Sequence, residues 1–209
     1  MGTRSTTYVL DEDSHVLVCI YEQYDGYPNG VGRDIADILT AQRSDIPDDF
    51  KSSGVTVDGK EIPVMANNGM DCLAASLVRF RKEKPLSVYL YPAPHIVKLD
   101  FYDPQGKAGI LDGLAEHASH NGSDYMYIVY HDKSTHQHNM LCYYLHGNAV
   151  STDVQYNGPV YKFYEYLEEQ KRKAEDEANK LAQPVEPPSA GIIPGEFADI
   201  EMIAMPEYD

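Results

Sequence analysis

The sequence predicts an α+β fold, in which an antiparallel sheet of about five or six strands carries two or three helices on one face. Short runs of β-branched and aromatic residues recur along the chain, and two stretches carry apolar residues at helical spacing. Hydrophobic residues make up 43% of the 209 residues, which is enough for one core. We therefore expect a single domain over residues 1–183, followed by an acidic tail over residues 184–209.

The first part of the chain predicts a hairpin and a helix. Residues 3–10 and 15–22 are β-rich and are separated by four polar residues, the pattern of two antiparallel strands with a turn. A glycine-rich loop, YDGYPNGVG (residues 24–32), follows, and we call it the DGYP loop. It leads into a helix over residues 32–43. Residues 44–68 are predicted to be a loop with one short strand or hairpin.

The middle of the chain predicts a second helix and a further strand. Residues 70–82 place Leu73, Leu77 and Phe80 on one side of a helix whose end is basic. A strand over residues 86–91 follows. The next stretch predicts a strand at 96–102 and a short helix over residues 109–119.

The last part of the chain predicts two strands, a long helix and a tail. Residues 125–131 and 139–146 alternate aromatic and aliphatic positions, as strands do. The last helix is expected over about 158–182, and its half after Glu168 is nearly all polar. Prolines and glycines in residues 184–195 are typical of a linker.

The charge balance narrows the class of partner. The formal net charge is −16, which argues against nucleic-acid binding through phosphates, because that needs a basic surface. An acidic protein could instead occupy the basic surface of another protein, or the charge could serve solubility alone.

Cysteine usage and the N-terminus favour a cytoplasmic protein. The three cysteines are scattered, lack a CxxC pair and sit among apolar neighbours, as is usual in a reducing compartment. The N-terminal residues contain no apolar stretch of a signal peptide, and no run approaches the length of a membrane span. We therefore expect no membrane association.

The loop before the first helix is the most distinctive candidate site. Glycines let the backbone approach a ligand closely, and exposed N–H groups at a helix start favour anions. The loop is not a phosphate-binding P-loop, because the lysine and its spacing are absent. The alternative is a tight connection in which Asp25 caps backbone amides. The candidate ligand- or partner-binding residues here are Asp25, Gly26, Tyr27, Pro28, Asn29 and Arg33.

Two further segments are expected beside that loop. Arg4 and Ser5 open the first strand, and pairing of the first two strands would bring Arg4 near Asp25, where an ion pair would pin the loop. Asn68, before Gly69, and Asp71 form a second turn that leads into a helix and supply caps for its N–H groups. We expect these residues to share one surface or cleft with the loop.

The sequence predicts no catalytic residue, metal or cofactor. Cys72, near a helix start, could be an activated nucleophile, but no histidine base lies near it, and an apolar helix face is expected to bury it and leave it inert. The histidine groups His117-x-x-His120 and His136-x-His138 lack the pattern of a zinc site and are interpreted as surface residues.

The tail predicts a partner-binding element. Its end carries large apolar residues among acids, which a merely solubilising tail does not need. Phe197, Ile200 and Ile203 would lie on one face of a short helix, with Tyr208 beyond them, and such a face suits an apolar groove with a basic rim. The alternatives are that these residues dock onto the protein's own sheet or remain idle.

Three segments together carry a resemblance to a family. The opening MGTRS, the segment YEQYDGYPNGVG and the later NGMDCLAA resemble a family of small uncharacterised proteins of tailed phages and their bacterial hosts. The resemblance covers residues 1–92, and 124–170 more loosely. It implies a phage-associated protein of the host-cell cytoplasm without an established activity, and by analogy one that acts on host machinery such as a defence system.

Three hypotheses follow. The first is a binding protein that inhibits or redirects a host protein. The second is a protein that binds or sequesters a nucleotide-like small molecule through Arg4, the DGYP loop and Asn68-Gly69. The third is a hydrolase that uses Cys72 or the histidines. The sequence favours the first and leaves homo-oligomerisation open.

Overall fold

The computed structural model describes residues 2–57, 59–82, 87–94, 113–145 and 152–181. The chain divides into two compact units, Met1–Arg172 and Lys173–Asp209. In the second unit the described residues are 173–181, the end of the last helix, and all of them are exposed. The predicted strand at 96–102 and the tail residues Phe197, Ile200, Ile203 and Tyr208 lie outside the described residues.

Eight strands form a large sheet and a small one. The strands are β1 (Ser5–Leu10), β2 (Val16–Glu22), β3 (Lys51–Val57), β4 (Lys60–Met65), β5 (Val88–Tyr91), β6 (Tyr125–Asp132), β7 (Gln137–Leu145) and β8 (Thr152–Pro159). Six of them form a sheet in the order β5-β2-β1-β6-β7-β8, and β3 pairs with β4 in a separate hairpin. The hairpin within residues 44–68 therefore forms as expected.

The helices are α1 (Arg33–Leu39), α2 (Met70–Arg81), α3 (113–120) and α4 (Phe163–Leu181). A π-helical turn, Pro28–Gly32, precedes α1, so the DGYP loop winds into the helix without a break. The α+β class is confirmed.

The hairpin of β1 and β2 determines where the DGYP loop begins. β1 and β2 pair antiparallel with Ser5 opposite Glu22 and Thr7 opposite Ile20. The Asp11 carboxylate closes the turn, because its Oδ1 accepts the backbone N–H groups of Asp13 (2.8 Å) and His15 (2.7 Å). The DGYP loop therefore leaves β2 beside the start of β1.

One strand pair differs from the predicted antiparallel sheet. β1 and β6 are parallel, with Ser5 opposite Tyr125 and Val9 opposite Val129. β5 ends at the end of the sheet where β1 ends, and β6 starts at the end where β1 starts, so all three strands run in the same direction. The sheet is therefore mixed.

Apolar clusters lie on both faces of the large sheet. α1, α2 and the first turn of α4 cover one face, where Ile35, Leu73 and Phe163 are buried with Val9 and Tyr127. α3 covers the other face, where its Leu114, Ala115 and Ala118 are buried with Tyr8 and Ile128. The helices on the first face match the prediction, and α3 adds a layer on the face that was expected to carry none.

The strand β8 was missed by the sequence analysis. It pairs antiparallel with β7, with Asn139 opposite Pro159. Gly158-Pro159 was interpreted as a helix start, but these residues end the edge strand, where a proline costs no ladder hydrogen bond. A 3₁₀ turn over Val160–Lys162 then leads to α4.

Within the described residues, no helix combines the length and the apolar character needed to cross a membrane.

Candidate functional site

The backbone of the DGYP loop is hydrogen-bonded to the residues before β1 and to a side chain of β6. The Gly26 N–H donates to the Thr3 carbonyl (3.0 Å), and the buried Tyr127 hydroxyl donates to the Gly26 carbonyl (2.8 Å). A Cβ on Gly26 would lie 2.5 Å from the carbonyl carbon of Arg4, so only glycine allows this approach. The structure thus brings Arg4 and Ser5 next to the loop, but Ser5 and Gly26 are buried, so these two predicted binding residues hold the loop in place and do not belong to an exposed surface.

Asp25 organises the loop through its main chain. Its φ of 58° is left-handed, and its carbonyl accepts the Val31 N–H (2.9 Å), which ties the start of the loop to the π-helical turn. The exposed Tyr27 hydroxyl lies 3.4 Å from the Asp25 carboxylate as a hydrogen-bond donor. The capping expected of the Asp25 side chain is thus performed by its carbonyl.

The remaining loop residues lie on the outside. Pro28 opens the π-helical turn, and Asn29 and Arg33 are both exposed. The Arg33 guanidinium lies 3.5 Å from the Asn29 side-chain oxygen and 3.9 Å from the Asp37 carboxylate. These weak contacts leave Arg33 facing solvent.

The predicted Arg4–Asp25 ion pair does not form between these two described residues. Arg4 instead joins Asp124 through its backbone: its N–H donates to the Asp124 carboxylate (2.9 Å), and its carbonyl accepts the N–H groups of Asp124 (2.9 Å) and Tyr125 (3.1 Å). Arg4 thereby positions the start of β6.

The turn that contains Asn68 lies at the other end of the sheet. Its neighbour Asn67 lies 3.2 Å from the imidazole of His138, in the β6–β7 hairpin, and Gly69 lies beside Glu12, in the β1–β2 turn. Asn68 and Asp71 are exposed there. The structure therefore separates them from Arg4 and the DGYP loop, and the expected single cleft does not contain them.

A cleft of about 500 Å³ opens beside the DGYP loop, and we call it the Asp25 cleft. Its charged and aromatic lining residues are Glu22, Tyr24, Asp25, Asp34 and Arg81. Three carboxylates thus face one guanidinium. Tyr24 is 59% exposed at the rim.

Arg81 forms the wall of this cleft. Its Nε donates to Glu22 (2.9 Å), its Nη2 also contacts the Glu22 carboxylate, and its Nη1 contacts Asp34. Burial raises the pKa of Glu22, although the charge of Arg81 opposes that rise. Arg43 lies 3.8 Å from Asp34 and is held by Asp45 (2.7 Å). The cleft is therefore built on a fixed ionic network.

A second cleft of about 420 Å³ lies at the same end of the sheet, and we call it the Arg4 cleft. The residues that line it include Arg4, Gly122, Asp124, Tyr125 and Tyr144. Except for Arg4, none of these residues was predicted from the sequence to belong to a site. Up to 140 positions separate them, and only the parallel β1–β6 pair brings them together.

Cys72 does not occupy the core position expected of it. Met70, Leu73 and Ala74 on α2 are buried, whereas Cys72 is exposed in the first turn. The spacing of the buried residues turns Cys72 away from the sheet, since it lies on the opposite side of the helix. The expectation that burial makes it inert is therefore corrected.

Of the four histidines interpreted as surface residues, His120 and His136 are exposed, whereas His117 and His138 are half-buried. His117 on α3 is hydrogen-bonded through Nδ1 to the Tyr8 hydroxyl (2.7 Å), and burial lowers its pKa. His131 and His138 lie side by side across β6 and β7, with ring centroids 5.5 Å apart. In the described part of the chain, no three His, Cys, Asp or Glu side chains are grouped so that they could hold a metal ion.

Comparison of the chain with protein-family models, with curated proteins and with solved structures found no match in any of the three.

Proposed function

We propose that this protein is a non-catalytic binding protein that inhibits or redirects a partner protein, and that its Asp25 cleft receives a basic side chain of that partner. The observation that carries the proposal is the charge of the cleft, whose described lining carries three carboxylates, those of Glu22, Asp25 and Asp34, and the guanidinium of Arg81. An incoming Arg or Lys would complement this excess, because opposite charge favours encounter and register.

The rim of the Asp25 cleft adds aromatic surface to this charge. Tyr24 lines the cleft and is 59% exposed, and Tyr27, whose hydroxyl lies 3.4 Å from the Asp25 carboxylate, is 41% exposed beside it. A guanidinium or ammonium group stacks favourably on such rings, and tyrosine is enriched at protein interfaces. The loop that carries them is held by Gly26 and Tyr127, so the surface is organised before a partner binds.

The charge of the whole chain supports the same class of partner. A net charge of −16 steers basic surfaces toward the protein and repels nucleic acid. The resemblance to phage proteins supports a bacterial host protein as the partner and the host-cell cytoplasm as the place of action. The acidic tail, with Phe197, Ile200, Ile203 and Tyr208, would add apolar contacts.

The test is quantitative capture from bacterial lysate with the tagged full-length chain. The wild type is compared with the double variant Tyr24→Ala/Asp25→Asn and with Asp132→Asn. Asp132 lies in the β6–β7 hairpin, at the other end of the sheet, so the control removes one carboxylate without touching the cleft. Mass spectrometry quantifies the retained proteins, and melting curves verify that each variant folds.

We expect the double variant to lose the specific partner and Asp132→Asn to retain it. Added salt should weaken capture, because exposed charges are screened beyond about 10 Å at ~0.1 M salt. Retention of the same protein at the same level by the double variant would disprove the role of the cleft. A partner with an acidic contact surface would disprove the proposed charge complementarity.

A further inference from the structure

We infer that the Arg4 cleft is a second binding site, and that it binds a small ligand that carries both a phosphate group and an aromatic ring, as a nucleoside monophosphate does. This site is separate from the proposed contact with a partner protein. The two clefts differ in charge, because the Arg4 cleft has one guanidinium and one carboxylate in its lining, whereas carboxylates dominate the Asp25 cleft.

The anion would bind at the Arg4 guanidinium. Arg4 is half-buried, and none of the ion pairs formed among the described residues involves it. The neighbouring Asp124 carboxylate accepts the Arg4 backbone N–H (2.9 Å), so its Oδ2 is already engaged. A guanidinium presents a planar fork of donors that matches two oxygens of a phosphate.

Gly122 makes room for this guanidinium. A Cβ on Gly122 would lie 3.0 Å from Nη1 of Arg4, closer than a side chain normally approaches. The φ of Gly122 is +73°, a conformation that side chains disfavour. The turn after α3 is therefore shaped around the head of Arg4.

The ring of the ligand would bind at a pair of tyrosines. Tyr125 and Tyr144 face each other across β6 and β7, with ring centroids 5.2 Å apart and planes tilted by 54°. Both are half-buried and line the cleft. Any nucleobase can stack on such aromatic faces, because stacking does not depend on which hydrogen-bonding groups the base carries.

The size of the cleft agrees with such a ligand. Its volume of about 420 Å³ lies within the range of small-molecule sites, roughly 300–1,000 Å³. The bonds from the Arg4 backbone to Asp124 and Tyr125 fix the main chain that carries the cationic group beside the main chain that carries one of the aromatic rings. A ligand with both groups therefore gains from two contacts whose geometry is already set.

The test is isothermal titration of the full-length protein with AMP, GMP, CMP and UMP, and with adenosine and inorganic phosphate as half-ligands. We expect at least one nucleotide to bind more tightly than either half-ligand. Arg4→Gln should weaken that binding about tenfold or more, because it removes a charged hydrogen-bond donor. Tyr144→Leu should also weaken it, while Arg172→Gln, which changes an exposed arginine of α4 that does not line the cleft, should leave it unchanged.

The result that overturns the inference is an absence of heat or thermal stabilisation for all four nucleotides at about 5 mM, since a ligand that binds only the native state must raise its stability. Unchanged affinity in both Arg4→Gln and Tyr144→Leu would overturn it as well. If Arg4→Gln does not fold, Arg4→Lys preserves the charge and should still bind more weakly than the wild type, because lysine lacks the planar fork.

Discussion

Arg81 and Glu22 form a two-point ion pair between the end of α2 and the end of β2, and both side chains are almost fully buried, at 7% and 4% exposure. The third guanidinium nitrogen of Arg81 contacts Asp34 of α1. One side chain thus ties two helices to the strand that leads into the DGYP loop. A pair this deeply buried is sensitive to the loss of either member.

We expect Arg81→Met to destabilise the protein by about 3 kcal/mol, because it leaves the Glu22 carboxylate buried without its partner. The double variant Glu22→Met/Arg81→Met should recover most of that loss, since a well-packed apolar pair replaces the ions. Urea unfolding measures both free energies. Arg33→Met, at an exposed ion pair, serves as the control and should change stability by about 0.5 kcal/mol or less. Equal losses in the single and double variants would contradict this account.

We expect Gly26→Ala to displace the DGYP loop and to lower the free energy of unfolding by about 1–3 kcal/mol, because the added Cβ meets the Arg4 backbone at 2.5 Å. Gly113→Ala is the matched control, since a Cβ there meets nothing within 4 Å. Thermal and urea unfolding compare the two variants. If Gly26→Ala were as stable as Gly113→Ala, the close approach of loop and strand would be disproved.

We expect iodoacetamide to label Cys72 in the native protein and to spare the other two cysteines. Cys72 is exposed, whereas Cys19 and Cys142 are buried, and burial raises the pKa of both thiols to about 12. Intact-mass spectrometry near neutral pH should show one rapid adduct, which Cys72→Ser abolishes. Two or three adducts at equal rates would mean that the sheet does not protect its cysteines. Cys72→Ser should leave partner capture unchanged, because Cys72 does not line the Asp25 cleft.

We expect acid to destabilise the protein partly through His138. Burial lowers its pKa from 6.5 to about 4, the charge of His131 adds to the effect, and Glu12 opposes it. The unfolded chain therefore binds the proton more readily than the folded protein. The contribution of His138 to the free energy of unfolding is fully present above pH 6.5. It is lost as the pH falls toward 4, which lowers the free energy of unfolding by up to about 3 kcal/mol.

The comparison that isolates this effect is urea unfolding at several pH values for the wild type, His138→Asn and the exposed His120→Asn. His138→Asn removes the titrating group, so its stability should decline less between pH 6.5 and 4 than that of the wild type. His120→Asn should follow the wild type. Parallel curves for the wild type and His138→Asn would show that His138 does not titrate with folding.

The elements that depend on neighbouring residues could be predicted from the sequence alone. The hairpin of β1 and β2 follows from two β-rich runs with Asp11–Ser14 between them, and α2 follows from apolar residues three and four apart. The glycines of the DGYP loop likewise indicated a close backbone approach, and the structure shows it between Gly26 and Arg4. These signals are local, since turn chemistry and periodicity are set within a few residues.

Contacts between residues far apart in the chain depend on tertiary packing and could not be predicted from the sequence. The parallel pairing of β1 with β6 places Arg4 beside Asp124 and Tyr125. At the other end of the sheet, the β6–β7 hairpin meets the Asn68 turn through His138 and Asn67. No local pattern encodes that pairing, because its free energy comes from burying both faces of the central strands against α1, α2 and α3. For the same reason the burial of Arg81 with Glu22 could not be predicted, since they lie 59 positions apart in the sequence and only packing brings the two charges together.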